Sequence, residues 1–246
     1  MNSKKTVVIT GGAKGIGAHM AIYFAEQDWN VVIGYNNSAE SAFLLRNSLA
    51  QNGHSVYAHK VNVTNKLEAD LLIKEAIYKF GSVDVLINNA GVSAQKLFTE
   101  ISEHEWSAML DTNLTGVFNC TQAVLPHMIE NKSGKIINIS SVWGVSGASC
   151  EVHYSASKAG VIGLTKALAK EVGPSGITVN CIAPGMIDTQ MNAHLSPDEI
   201  NDFVSTLPIS RIGSTLEIAK TAYFLASDGA DYITGQTICV DGGLTI

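Results

Sequence analysis

Only four cysteines occur in 246 residues, and Cys120, Cys150, Cys181 and Cys239 form no CxxC pair and have no ligand-spaced histidine beside them. That scarcity excludes a disulfide framework and a structural zinc site. Three of the four sit in apolar or small-residue runs, where cysteine packs as a small hydrophobe. Charge is sparse as well, at 15% of residues, with 16 Lys and Arg against 22 Asp and Glu. An acidic balance of −6 without a basic cluster argues against nucleic acid as a partner. No stretch approaches the ~20 apolar residues that span a bilayer. Lys4 and Lys5 lead straight into a short apolar run and then glycines, unlike a secretory leader, so a cytoplasmic protein is expected. No Pro/Ser linker, charge block or internal repeat divides the chain, and one domain over residues 1–246 is expected.

What is present is ample material for a core: 46% of residues are hydrophobic. Short β-branched runs alternate with longer helical patterns. Strands are expected at Thr6–Thr10, Asn30–Tyr35, Ser55–Val61, Val83–Asn88, Lys135–Ser140, Thr178–Ile182 and Thr237–Val240. Helices are expected at Gly15–Gln27, Ala39–Gln51, Lys66–Phe80, Glu103–Ile129, Ser155–Val172 and Leu216–Ser227. This order predicts an α/β fold, a single doubly wound (Rossmann) domain with a seven-stranded, mainly parallel sheet and helices on both faces. Ligand sites then lie outside the carboxyl ends of the strands. The non-periodic stretch Pro184–Leu207 is a candidate substrate lid.

After the first expected strand comes Thr10-Gly11-Gly12-Ala13-Lys14-Gly15-Ile16-Gly17. Glycines let the backbone turn sharply and approach a pyrophosphate, which the start of the next helix favours. An NAD site places an acid ~20 residues onward to bond the ribose 2′-hydroxyl. Here the second strand ends in Tyr35-Asn36-Asn37-Ser38, with no acid before Glu40. Amides and a hydroxyl can donate to a 2′-phosphate, and Lys14 adds a positive charge, so NADP is the expected cofactor.

In Tyr154-Ser155-Ala156-Ser157-Lys158, residues four apart share a helix face, making the phenol and the ammonium neighbours. Ser140 and Ser141 end the preceding strand, with Ser141 13 residues before Tyr154. A free phenol titrates near pH ~10. An ammonium ~4 Å away contributes ~4 kcal/mol at an effective dielectric of 20, enough to bring a phenolate toward neutral pH. Tyr154 is therefore the expected acid toward a carbonyl oxygen that receives a hydride, and Ser141 the expected hydrogen-bond donor to it. Ser140 is expected to be structural, and His153 a neutral loop histidine.

These motifs resemble the short-chain dehydrogenase/reductases along nearly the whole chain. The matching residues are Thr10–Gly17, Asn88-Asn89-Ala90-Gly91, Asn113, Ser141, Tyr154, Lys158 and Pro184-Gly185-Met186-Ile187-Asp188-Thr189. The resemblance implies that Asn113 holds a water on a proton relay through Lys158. It implies that Asn89, Ala90 and Gly91 support the adenine-side pocket and that the Pro184–Thr189 motif, through Ile187 and Thr189, contacts the nicotinamide half. Val61-Asn62-Val63 departs from it, since the family usually has Asp where Asn62 stands; Asn62 is expected to accept a bond through its carbonyl instead, with Val63 beside it.

Within the family the chain looks most like bacterial 3-oxoacyl-[acyl-carrier-protein] reductases, which are typically homotetramers. The resemblance rests on Tyr232-Ile233-Thr234-Gly235-Gln236 and Val240-Asp241-Gly242-Gly243. It implies a small-molecule or carrier-attached ketone as substrate. The loop Ala148-Ser149-Cys150-Glu151-Val152-His153 departs, placing an acid where those relatives have a neutral amide. With Trp143 and Gly144 it looks like reductases of the 5-aminopentanone modification on elongation factor P, where Glu151 would serve as counter-ion to a substrate amine. A non-catalytic NADP-binding sensor or scaffold is the alternative from another class.

Overall fold

Every residue of Thr6–Thr10 (β1) and of Asn30–Tyr35 (β2) is buried, as strands covered on both faces require. In a computed structural model describing residues 4–190 and 196–246, seven strands form one sheet in the order β3-β2-β1-β4-β5-β6-β7. The others are Val56–Lys60 (β3), Val85–Asn88 (β4), Gly134–Ile139 (β5), Ile177–Pro184 (β6) and Thr237–Val240 (β7). All six pairings are parallel. The order reverses between β1 and β4, and the loops after these two strands open the crevice where such sheets bind ligands.

Strand alternation divides the core. Val7, Ile9, Val31, Ile33, Val85 and Ile87 pack with Met20 and Phe24 of Gly15–Glu26 (α1). Their successors on the other face, Val8, Val32 and Leu86, pack with Leu72 and Ile73 of Lys66–Phe80 (α3). Ala39–Gln51 (α2) follows β2, and it and Thr215–Ala226 (α9) complete the first layer. At ~25 cal/mol per Å², each fully buried Val, Ile or Phe contributes about 1.5–3 kcal/mol.

The expected helix at Glu103–Ile129 is in fact two, Glu103–Leu110 (α4) and Gly116–Asn131 (α5), joined by a π-helical turn at Asp111–Thr115. Both pieces are helical, so helical spacing in the sequence does not separate them. Such turns recur at functional sites, and Asn113 lies within this one. A short helix, Trp143–Ser146 (α6), was not anticipated. Val152–Val172 (α7) starts three residues earlier than expected, which moves Tyr154 and His153 inside a helix; His153 is buried there rather than lying in a loop. The candidate lid contains Pro197–Ser205 (α8), opened by a Ser196–Glu199 capping box; its residues 191–195 lie outside the described residues. Among the described residues no helix is long and apolar enough to cross a membrane.

Candidate active site

The last residues of β5 and the first turns of α7 meet at the carboxyl edge of the sheet. Ser140 donates from its Oγ to the Lys158 carbonyl at 2.8 Å, locking α7 against the strand end, which is the structural role expected of it. Gly144 of α6 makes this approach possible, since a Cβ there would stand 2.8 Å from Ser140 Oγ and 2.9 Å from Lys158 Cβ. Ser141 accepts a bond from the Trp143 N–H at 3.2 Å.

Lys158 is 4% exposed and donates from Nζ to the Ile139 carbonyl at 2.9 Å. Tyr154 is 9% exposed, with Lys158 Nζ 5.7 Å from its ring centroid. The structure thus brings Ser141, Tyr154 and Lys158 together. It does not bear out an acidified phenol. Burial pushes Tyr154 up to about 12, a hydrogen bond with Ser141 draws it down, and the charge of Glu151 raises it. Burial pushes the Lys158 ammonium down to about 8, against a smaller opposing effect of Cys181. Desolvation is the leading cause for both groups, since burial disfavours the charged form of each.

Asn113 is fully buried. Its Oδ1 accepts from the Val92 N–H at 2.8 Å, and its Nδ2 donates to the Val92 carbonyl at 2.9 Å and to Ser157 Oγ at 3.1 Å. The amide is thus engaged in tying the segment after β4 to α7. It borders the same space as the ammonium: a Cβ on Gly91 would lie 3.2 Å from Asn113 Oδ1 and 3.4 Å from Lys158 Nζ.

At the other end of the crevice, the glycine turn closes on itself. Gly11 and Gly15 adopt φ of +63° and +52°, which favours glycine. A Cβ at Gly17 would collide with the Gly11 carbonyl oxygen and stand 2.6 Å from Asn89 Nδ2. Asn89 braces this turn, donating from Nδ2 to the carbonyls of Thr10 and Gly11 at 3.0 and 3.1 Å. Thr10 completes the brace, its Oγ1 accepting from the Asn89 and Ala90 N–H groups at 3.0 and 3.1 Å. Sequence reasoning missed Thr10 as an organiser, although a hydroxyl at a strand end before glycines was there to be read.

Helix α1 begins after Lys14 with no side-chain cap and no acid in its first turn, whereas α4, α8 and α9 each carry a Ser–Glu capping box. An uncapped helix start behind a glycine turn fits a phosphate. Ile16 follows in the first turn of α1, partly buried against the first core layer. Thr189 Cγ2 would lie 3.7 Å from a Cβ on Gly15, so the segment after β6 reaches the glycine turn. Ile187 is buried and bridges to Gly213, and the Gly185 N–H donates to the Val240 carbonyl. Asn36 and Asn37 are exposed at the end of β2, and Ser38 stands before α2 without a side-chain capping bond. Asn62 Oδ1 accepts from Thr64 N–H and Oγ1 at 3.2 and 3.0 Å, next to a buried Val63.

A dinucleotide crevice running from an uncapped helix start to a buried lysine beneath a tyrosine and a serine is the apparatus of an oxidoreductase. The chain belongs to the short-chain dehydrogenase/reductase family. Residues 11–245 match the family described as enoyl-(acyl carrier protein) reductase. The chain is similar to 3-oxoacyl-[acyl-carrier-protein] reductase FabG of Staphylococcus aureus, 44% identical over 244 residues, 99% of each chain. It is equally similar to the FabG of Chlamydia trachomatis, 44% over 241 residues, covering 98% of this chain and 97% of the other. The 3-oxoacyl-[acyl-carrier-protein] reductase of Synechocystis is 44% identical over 243 residues, with 98% and 97% covered. By name these three relatives reduce oxoacyl groups on a carrier, and they lend no support to the aminopentanone resemblance of the Ala148–His153 loop.

Proposed function

We propose that this chain reduces a 3-oxoacyl thioester, carried on acyl carrier protein, to the 3-hydroxyacyl thioester with NADPH. The observation that carries the reading is the meeting of Ser141 and Tyr154 above buried Lys158 at the end of β5. The names of the full-length relatives supply the substrate class. A sensor or scaffold role has no comparable support, since the complete reactive set is retained.

Gly11, Gly15, Gly17 and the start of α1 would hold the pyrophosphate, and Lys14, Asn36, Asn37 and Ser38 the 2′-phosphate. Asn62, Val63, Asn89, Ala90 and Gly91 would flank the adenosine and ribose side, and Pro184, Gly185, Ile187 and Thr189 the nicotinamide side. The bound cofactor supplies the hydride. As the carbonyl oxygen takes up the electron pair of its π bond, Ser141 donates a hydrogen bond to it and Tyr154 Oη transfers its proton. A phenol held up to about 12 is loaded with that proton throughout the neutral range. The Lys158 ammonium, charged below about pH 8, steadies the phenolate left behind. Asn113 fixes Gly91 and Val92 against α7, and we place it on the route by which the proton is restored. Helix α8 is assigned the covering role over the substrate.

All four cysteines are free thiols, which suits a reducing cytoplasm. We assign a homotetramer, supported by the exposure of Phe118 and Ile129 on α5 and of Phe224, Tyr232 and Ile246 near the C-terminus. Assaying acetoacetyl and crotonyl thioesters with NADPH and NADH tests the reading. Turnover of the ketone with NADPH is expected; reduction of crotonyl thioester alone, or of neither, rejects it.

A further inference from the structure

Asp241 directly follows β7, and its carboxylate turns back on its own chain. Oδ1 accepts from the Gly243 N–H at 3.0 Å, and Oδ2 accepts from the Thr245 N–H at 3.0 Å and from Thr245 Oγ1 at 2.6 Å. One side chain thereby shapes residues 241–245 into a turn. That turn holds both ends of the segment that leaves β6 and returns after α8. At the outgoing end, the Gly185 N–H donates to the Val240 carbonyl at 3.0 Å, and a Cβ on Gly185 would stand 2.8 Å from Asp241 Cα. At the returning end, the Ile209 N–H donates to the Gly242 carbonyl at 2.9 Å, and a Cβ on Gly243 would stand 2.8 Å from Pro208 Cγ. Gly213 ties the outgoing end once more, donating to the Met186 carbonyl and accepting from the Asp188 N–H, both at 2.9 Å.

We propose that Asp241 is a positioning residue for the nicotinamide half of the cofactor, acting through the segment that its turn anchors. The inference rests on the reading of residues 184–189 as the nicotinamide side. Gly185 lies against the backbone of Asp241. Just beyond it stand Ile187, which is buried, and Thr189, which reaches the glycine turn after β1. Without the carboxylate, the N–H groups of Gly243 and Thr245 lose their acceptor and must turn toward water. The turn then opens, and the bonds that Gly185 and Ile209 make to Val240 and Gly242 no longer fix where Ile187 and Thr189 stand. The adenosine half is assigned to the ends of β1, β2, β3 and β4, whereas β7 is the strand at one edge of the sheet. Loss of Asp241 therefore acts on one half of the cofactor and spares the other.

Binding of NADPH and of adenosine 2′,5′-bisphosphate, which carries only the adenosine half, tests this without any ketone. In Asp241→Ala the Kd for NADPH should rise about fivefold, the worth of one ordinary hydrogen bond, while the Kd for the bisphosphate should hold at the wild-type value. Asp241→Asn keeps an acceptor oxygen for the Gly243 N–H and should recover part of the NADPH affinity. Equal weakening of both ligands, the mark of a general loosening, overturns the proposal, and so does an unchanged Kd for NADPH. Should Asp241→Ala fail to fold, Thr245→Val, which removes only the hydroxyl bond, carries the same comparison with a smaller rise expected. Thr189→Ala tells the two failures apart. If it weakens NADPH and Asp241→Ala does not, the segment faces the nicotinamide and Asp241 does not position it. If neither weakens NADPH, the reading of residues 184–189 falls together with this inference.

Discussion

Lys158 places its ammonium 5.7 Å from the centre of the Tyr154 ring, one helical turn away on α7, and both side chains are buried. The pair is poised by desolvation more than by attraction: the phenol is held up to about 12 and the ammonium down to about 8. A protonated acid beside a cation that loses its charge not far above neutrality has consequences for rate, for pH and for stability.

Reduction should weaken as pH rises through about 8. Burial lowers the Lys158 ammonium, so its charge is present below that pH and is lost above it, while an exposed lysine would stay charged past pH ~10. The phenol keeps its proton over the same interval. The profile of kcat/KM for the ketone should therefore show one descending limb near pH 8. A flat profile to pH 10 would contradict the requirement for a charged Lys158.

Lys158→Met should abolish most turnover yet stabilise the fold at neutral pH. An ammonium lowered from 10.5 to about 8 is disfavoured in the folded state by about 3 kcal/mol wherever it is charged. The unfolded chain binds more protons between pH 8 and 10.5, so this penalty fades as pH rises through that window. Loss of the bond to the Ile139 carbonyl returns about 1 kcal/mol, leaving a net gain of about 2 kcal/mol below pH 8. Denaturant titration at pH 7 and pH 10 reads both the gain and its disappearance.

Tyr154→Phe removes the acid and leaves the ring volume. Turnover should fall about 10²–10⁴-fold, the usual contribution of a positioned proton donor. NADPH affinity, read by nucleotide fluorescence, should be nearly unchanged. Persistent turnover would assign the proton to another group.

Much of this arrangement was legible in the residues, and the failures share one cause. Buried runs such as Thr6–Thr10 and Asn30–Tyr35 coincide with strands because covering on both faces leaves no alternative to continuous apolar sequence. Tyr154 and Lys158 were legible because helical spacing alone makes them neighbours. What could not be read was tertiary. The π turn at Asp111–Thr115 divides in two what the spacing reads as one helix. The acceptor of Asn62 is taken by Thr64, and the amide of Asn113 by Val92, through contacts no spacing announces. The direction in which the Tyr154 phenol moves depended on how deeply both partners are buried, a quantity that the short charge separation alone concealed.

Cofactor preference should follow the sign of charge at the end of β2. Asn36 and Asn37 are exposed there, and no acid precedes Glu40 in the first turn of α2. Asn36→Asp should raise the Kd for NADPH about tenfold or more, equivalent to about 1.4 kcal/mol, by setting a carboxylate against the 2′-phosphate. The Kd for NADH should hold or improve, because a carboxylate can accept from a ribose hydroxyl. Equal effects on both nucleotides would show that Asn36 lies away from the 2′-position.

Gly17→Ala tests whether the glycine turn is shaped for the nucleotide or merely for packing. Its Cβ would collide with the Gly11 carbonyl oxygen and stand 2.6 Å from the Asn89 amide nitrogen, both parts of the brace that shapes the turn. Backbone cannot rotate aside as a flexible side chain does, so the turn must open, at a cost of about 1–3 kcal/mol in stability. Opening it also moves the start of α1 away from Thr10 and Asn89, so nucleotide affinity should fall along with stability. The control is Gly53→Ala, in a loop where a Cβ meets nothing within 4 Å although φ is +85°. That variant should lose stability through backbone strain alone and keep its affinity for NADPH. If both variants bound NADPH as the wild type does, the turn after β1 would not be the phosphate site.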